Sequence, residues 1–310
     1  MFSRRDAMRH VVVGSVAATA GVASAAVPDA VADGLVDAHV HVWTPDVVAY
    51  PLADGFTRVD MQPPSFTADE LLALCRPLGV ARVVLIQMNF YGFDNSYMLD
   101  SMARHAGTFG GVAIVDHSKP DVAGTMRTLA TRGVRGFRLY ASREKAAGWE
   151  HDAGMKAMWS CGADDGLAMC LLADPDAIPI IARMCEAFPR TPVVIDHFAR
   201  IGMRGEINGG DVDGLVGLAR FPQVHVKTSA FYALGRKRPP YDDIGDMIRR
   251  LRDAYGARRL MWATDSPYQA ADGHGYAPSL ALVRERLDFL TVDDRRAMLR
   301  DTATRLFFPT

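Results

Sequence analysis

Three histidines and an aspartate carry the densest chemistry in this chain, each at the downstream end of an apolar run. His39 and His41 lie two apart in Asp37-Ala38-His39-Val40-His41-Val42-Trp43. Residues two apart in a strand share a face, so both imidazoles point the same way. His197 follows Val193-Val194-Ile195-Asp196, and Asp265 follows Leu260-Met261-Trp262-Ala263-Thr264. Imidazole nitrogens and a carboxylate oxygen suit zinc or a similar divalent ion, with a position left open for water. The same groups can also act directly, the carboxylate as proton acceptor and the imidazoles around a developing oxyanion. Singly, each has a plainer explanation: His41 as a satisfied core histidine, Asp265 as the cap of a helix beginning at Ser266-Pro267. Packing needs do not explain all four at matching strand ends. Strand alternation puts Asp196 on the face away from His197, and Asp37 on the histidines' face but deeper. Both are expected to make structural hydrogen bonds. His105, His117, His225 and His274 lack such companions and receive no role.

Bringing three strand ends together requires a particular scaffold. Strand-like runs occur at Leu35–His41, Arg82–Asn89, Phe109–Val115, Val134–Tyr140, Leu167–Ala173, Pro192–His197, Gln223–Ser229 and Leu260–Asp265. Helical spacing appears at Ala68–Leu78, Ser96–Ala106, Val122–Thr131, Met155–Asp165, Asp176–Phe188, Tyr241–Ala254 and Pro278–Leu287. Thr67-Ala68-Asp69-Glu70 is a capping box, and Asp174-Pro175 places an N-cap before a proline already set for a helix. Nearly continuous apolar runs such as Val83-Val84-Leu85-Ile86 suit parallel strands covered on both faces. Eight such units predict an α/β fold, a single (β/α)8 TIM-type barrel whose active site lies at the carboxyl ends of its strands. A doubly wound open sheet is the alternative, but no G-x-G-x-x-G follows the first strand.

The chain has 310 residues, 49% hydrophobic and 23% charged, enough for one large core. A net charge of -1 offers no electrostatic footprint for nucleic acid, which leaves small molecules as partners. Cys75, Cys161, Cys170 and Cys185 are scattered without C-x-x-C spacing and read as buried free thiols. Ser3-Arg4-Arg5-Asp6-Ala7-Met8-Arg9, followed by the Ala/Gly/Val run Val11–Ala26, reads as a twin-arginine export signal. Cleavage is expected at Ala23-Ser24-Ala25 or Ala30-Val31-Ala32, and the run is too short and interrupted for a comfortable membrane span. Residues 1–32 are thus expected to be leader and short linker, residues 33–310 one barrel domain, and the mature protein periplasmic without a membrane span.

Five segments carry a family resemblance: Asp37–Trp43, Gly133-Val134-Arg135-Gly136-Phe137-Arg138-Leu139, Ile195-Asp196-His197, Val224-His225-Val226-Lys227-Thr228-Ser229 and Trp262-Ala263-Thr264-Asp265-Ser266-Pro267. In order, they resemble the serial motifs of the amidohydrolase superfamily. The nearest branch is the amidohydrolase 2 group, with pyrone-dicarboxylate and sugar-acid lactonases. The resemblance implies a hydrolase of a lactone or related cyclic ester of a small carboxylic or sugar acid. Asp265 would activate water, and His39, His41 and His197 would stabilise the oxyanion, with or without a metal. Binuclear members of the superfamily carry a bridging lysine or glutamate at the end of strand four and a histidine at the end of strand five. Here those ends read Arg138-Leu139-Tyr140 and Ala173-Asp174. The expectation is at most one zinc or similar cation per chain, held by His39, His41, His197 and Asp265, or none. Ser266 stands where the family carries tryptophan or an equivalent, a change expected in the pocket wall.

Arg138 and Lys227 are candidates for holding a substrate carboxylate, against an ion-pair alternative for each. Asn89 and Tyr91 are candidates for contact with a ring-shaped substrate. The long segment from Trp43 to Phe66 is expected to be a lid, and Arg236-Lys237-Arg238 a solvated charge cluster with the anion clamp as the alternative. Two rival functions remain: a zinc-dependent non-oxidative decarboxylase of an aromatic or related acid, and a non-catalytic periplasmic binding module.

Overall fold

The computed structural model describes residues 34–271 and 273–309; the leader expected at residues 1–32 lies outside the described residues. Eight parallel strands follow one another in sequence order: β1 (Leu35–Val40), β2 (Val80–Ile86), β3 (Phe109–Ala113), β4 (Val134–Ala141), β5 (Ala168–Ala173), β6 (Val193–Ile195), β7 (Val224–Thr228) and β8 (Leu260–Trp262). The ring closes beyond β8. Val40 and Ser266 form a parallel bridge, Asp265 N donates to His39 O (2.9 Å), and His41 N donates to Ser266 O (2.9 Å). The chain is a single (β/α)8 barrel.

Alternation along the strands sorts side chains into two layers. The inner layer holds Val36, Ala38, Val84, Ile86, Val112, Ala168, Cys170, Val194, Met261 and Ala263. The outer layer, with Val83, Leu85, Leu171 and Ile195, packs against the helices. Small inner residues leave room for the long side chains of Arg138 and Lys227, both buried. All four cysteines are buried free thiols, as expected.

Helices fill most of the predicted positions. The capping box forms, with Glu70 N donating to Thr67 Oγ1 (3.3 Å) and Thr67 N to Glu70 Oε2 (2.6 Å). The Asp174 carboxylate, by contrast, bonds to Arg200 and caps nothing. Sequence periodicity missed Gly209–Gly217, whose four glycines argue against a helix on propensity; Asn208 caps it through Asp211 N (3.1 Å). It also missed the C-terminal helices Val292–Arg296 and Thr302–Phe307. The last places Ala303 and Phe307 in the inner layer, closing the amino end of the barrel opposite the site.

Candidate active site

β1 delivers two histidines by breaking its own alternation. Asp37 pairs with Val83 and Val40 with Leu85, so three residue steps on β1 match two on β2. This bulge re-aims the side chains after Ala38. His39 and His41 share the inner face, as their spacing predicts. Asp37 does not share it, contrary to the alternation argument. It lies between β8 and the helix Tyr276–Ala281, accepting bonds from Thr264 N (3.0 Å), Thr264 Oγ1 (2.6 Å) and Tyr276 OH (2.6 Å). Its hydrogen-bonding role is the expected one; its position corrects the expectation. Burial pushes the Asp37 carboxyl up to about 6, against the lowering effect of those bonds.

The carboxyl ends of β6 and β8 depart from strand geometry sooner than expected. β6 ends at Ile195, and His197 has φ 50; β8 ends at Trp262, and Asp265 has φ 70. Left-handed backbone turns each side chain inward after the strand has ended. Asp196, two residues after the inner-layer Val194, keeps the strand's inward parity, so it and the re-aimed His197 both face the site, where alternation counted from His197 had placed Asp196 on the opposite side. It is fully buried, with Lys227 Nζ at 3.0 Å and His39 Nδ1 at 3.4 Å from Oδ1, and Arg138 NH1 at 3.5 Å from Oδ2. Burial pushes its carboxyl up, but Lys227, His39 and Arg138 together hold it well below the usual carboxylate range.

Three imidazoles converge on one carboxylate oxygen. Asp265 Oδ1 lies 3.2 Å from His41 Nε2, 3.4 Å from His39 Nε2 and 3.7 Å from His197 Nε2. The cap of a following helix, the plainer reading of Asp265, does not describe this arrangement. Its other oxygen accepts a bond from Tyr232 OH (2.7 Å). Burial raises the Asp265 carboxyl, yet His197, His41 and His39 hold it below its ordinary value, so it is ionised at neutral pH. Burial holds His39 well below its ordinary value and lowers His197 to about 4, so both rings are neutral.

The partners of the far ring nitrogens set the tautomers. His41 Nδ1 lies 2.8 Å from Ile86 O, which only accepts, so Nδ1 carries a hydrogen; in the neutral ring the lone pair is then on Nε2. His197 Nδ1 lies 2.8 Å from Ser229 Oγ; when that hydroxyl donates to Lys227 O (3.4 Å), Nδ1 donates to it and Nε2 carries the lone pair. Lone pairs on these nitrogens facing Asp265 Oδ1 need a proton or a cation between them; a shared proton is what lowers the carboxyl, and a cation can take its place. Ligand atoms of His39, His41 and Asp265 lie within 4.8 Å of one another, and this donor set fits a divalent cation.

Above the cluster opens a cavity of about 240 Å³, lined by His41, Arg138, His197, Asp265, Arg200 and Tyr232 among others. Asn89 lines it, as expected. Tyr91 does not. It is buried in the aromatic layer beside Phe90 and Tyr97, its hydroxyl accepting from Thr44 N (3.3 Å). Lys227 is fully buried beneath the imidazoles and held by Asp196, so it is an ion-pair residue and not a carboxylate clamp. The expected lid is also corrected. None of residues 44–66 lines the cavity; the segment packs sideways, with Tyr50 on Tyr97 and Tyr50 OH donating to Asp100 (3.0 Å). Ser266 is buried between β1 and β8, bonded to Thr264 Oγ1 (2.9 Å), and is not part of the cavity wall; Tyr268 supplies an aromatic wall two residues on. Arg236, Lys237 and Arg238 are exposed and outside the cavity lining, matching a solvated cluster.

Sequence reasoning passed over Arg200, Tyr232 and Ser229. Arg200 lies three residues after His197 on the same irregular turn, and Tyr232 three after Ser229. That spacing was a usable signal, because residues just past a barrel strand's carboxyl end face the site.

A family model described as Amidohydrolase matches residues 36–308. The 4-sulfomuconolactone hydrolase of Hydrogenophaga intermedia is 29% identical over 275 residues, 87% of this chain and 88% of that protein. The L-fucono-1,5-lactonase of Burkholderia ambifaria is 26% identical, covering 84% of this chain and 91% of that one. Among solved structures, an amidohydrolase from Burkholderia multivorans with bound zinc superposes with a TM-score of 0.73 at 21% identity, over 88% of this chain and 99% of that chain. That likeness speaks for the fold.

Proposed function

The chain belongs to the amidohydrolase family, and from that premise we propose that it hydrolyses a lactone or related cyclic ester of a small carboxylic or sugar acid. The observation carrying this reading is the convergence of three imidazoles and one ionised carboxylate on the wall of a cavity that also presents two arginines. The relatives' lactone-hydrolase names support it.

A lactone carbonyl docks with its oxygen toward the imidazole cluster. Water attacks the carbonyl carbon while Asp265 takes one of its protons, forming the new C–O bond. The imidazole cluster stabilises the oxyanion as it develops. As the tetrahedral adduct collapses, the ring C–O bond breaks and the proton on Asp265 passes to the leaving alkoxide. Asp265 is thus returned to its ionised form. Tyr232, bonded to the second oxygen of Asp265, keeps the carboxylate in one rotamer. His39, His41, His197 and Asp265 would hold zinc or a similar cation, at most one per chain; when bound it polarises the carbonyl and acidifies water. Arg138 and Arg200 bind the substrate's carboxylate, with Asn89 at the rim.

Turnover of a panel of five- and six-membered lactones bearing carboxyl groups tests the reading by product mass. Gain of water supports it. Loss of carbon dioxide from an aromatic acid would replace it with the decarboxylase alternative. No turnover of either class would favour the binding module. Residues 1–32 we assign to a twin-arginine leader and residues 33–310 to the barrel, with the periplasm as destination; the paired Arg4-Arg5 ahead of the Ala/Val run supports this.

A further inference from the structure

His39 is the one member of the cluster whose two ring nitrogens both face cationic donors. Lys227 Nζ lies 3.2 Å from Nδ1, and Arg138 NH1 lies 3.1 Å from Nε2. A neutral imidazole has a single ring-nitrogen lone pair, so it accepts from one of them and not both. Each nitrogen also has a carboxylate at 3.4 Å: Asp196 Oδ1 at Nδ1 and Asp265 Oδ1 at Nε2. Two tautomers follow. In the first, Nδ1–H donates to Asp196 and the Nε2 lone pair accepts from Arg138. In the second, Nε2–H donates to Asp265 and Nδ1 accepts from Lys227. Neither leaves Nε2 with a free lone pair.

We propose that the Arg138 guanidinium and a divalent cation are alternative occupants of the space at His39 Nε2, so that Arg138 sets the metal affinity of the site. His41 Nε2 and His197 Nε2 point at Asp265 Oδ1 whatever His39 does, and the cation reading of the site rests on them. His39 joins only when Arg138 yields. Its guanidinium is well placed to persist: it is buried, 3.5 Å from Asp196 Oδ2, and its Cζ lies 5.5 Å from the centre of the Tyr140 ring. A fixed positive charge this close to a dication also repels it through a medium of low polarity. Yet Arg138 is not locked. Its Nε is buried without a partner while the residue lines the cavity, so an anionic group docking there has a free donor with which to draw the guanidinium away from His39. Metal and anionic substrate therefore favour each other's binding. The inference concerns the cation site of the proposed function and is independent of which lactone is cleaved.

Its test is zinc affinity, measured on chelator-stripped protein by competition with a chromophoric chelator. Arg138→Gln and Arg138→Met should bind zinc about tenfold more tightly than wild type or better, while Arg138→Lys, which keeps the charge, stays near wild type. Adding His39→Asn to Arg138→Gln should abolish the gain, because the gain runs through Nε2. Circular dichroism certifies each variant's fold, and the Met variant reads the same effect should the Gln variant not fold. Unchanged or weaker zinc binding in the folded Gln or Met variant overturns the proposal, as does a gain that survives loss of His39. Zinc binding to none of the proteins overturns it too. A lactone panel that fails while these affinities behave as stated would sink the substrate reading and leave this inference standing.

Discussion

Asp265 and Asp196 are both buried aspartates at the carboxyl ends of strands, and their neighbours give them different tasks. Asp196 faces two fixed cations, Lys227 and Arg138, and serves to hold them and the His39 ring. Buried ion pairs of this kind add little net stability but are costly to break, which suits a positioning role. Asp265 faces imidazoles and the cavity, with no arginine or lysine within ion-pairing distance among the described residues, so its basic oxygens remain available to water. Asp265→Asn keeps size and tolerates the left-handed backbone while removing basicity, so kcat should fall by on the order of 100-fold or more. The thermal midpoint should move little. Wild-type turnover in that variant, on any lactone the native protein accepts, would remove Asp265 as the proton acceptor.

At the scale of elements, the barrel's two ends divide labour. Irregular turns after β6, β7 and β8 carry His197, Arg200, Tyr232 and Asp265, whereas the amino end is stoppered by the helix Thr302–Phe307. Phe307 enters the inner layer and lies under Lys227, whose Nζ is 5.5 Å from its ring centre. The stopper therefore supports the floor of the site. Phe307→Ala removes a fully buried ring and should cost about 3–5 kcal/mol of stability, read by urea denaturation. A loss below about 1 kcal/mol would mean that the inner layer collapses around the gap and that the helix is dispensable packing. This element escaped the sequence reading because Thr302-Ala303-Thr304-Arg305-Leu306-Phe307-Phe308 is short and has no clean amphipathic stripe. Its apolar residues answer to a barrel end, which no local periodicity encodes.

For the whole molecule, buried histidines set the response to acid. Burial lowers His225 to about 4, His197 to about 4 and His39 well below its ordinary value. In each case the unfolded chain takes up a proton near pH 6.5, before the folded state does. Stability is therefore intact above that pH and is lost as the pH falls toward 4. Asp37, raised to about 6, works in the opposite sense across part of that window, but it is one group against three. Between pH 7.5 and 5.0 His225 alone should account for about 2 kcal/mol of lost stability, and His225→Gln should lose correspondingly less. His225 is the cleanest probe because it lies away from the imidazole cluster, with Nδ1 bonded to Gln223 O (3.1 Å). Equal pH sensitivity of variant and native protein would exclude it as the source. The export proposed for this chain is tested at the same scale. Replacing Arg4 and Arg5 by lysine should retain the protein in the cytoplasm, and undiminished periplasmic recovery would sink the twin-arginine assignment.

Much of this could be read from residue order alone. Eight apolar runs separated by helical spacing specify a barrel, and His39, His41, His197 and Asp265 announce themselves by falling at strand ends, where a barrel must gather them. What residue order left undecided was the direction of individual side chains. Asp37 and Asp196 were each assigned a face by strict alternation, and each assignment failed where the backbone leaves regular strand geometry: at the β1 bulge and at the left-handed turn after Ile195. Alternation is a local rule, but a bulge or an early strand end is set by the register with neighbouring strands, and those pairings join residues far apart in the chain. Lys227 and Arg138 show the same division. Their charges and strand positions were visible in the sequence, but only closure of the barrel, which brings β4, β6 and β7 around His39, decided that Lys227 would be sealed against Asp196 while Arg138 kept a free edge toward the cavity.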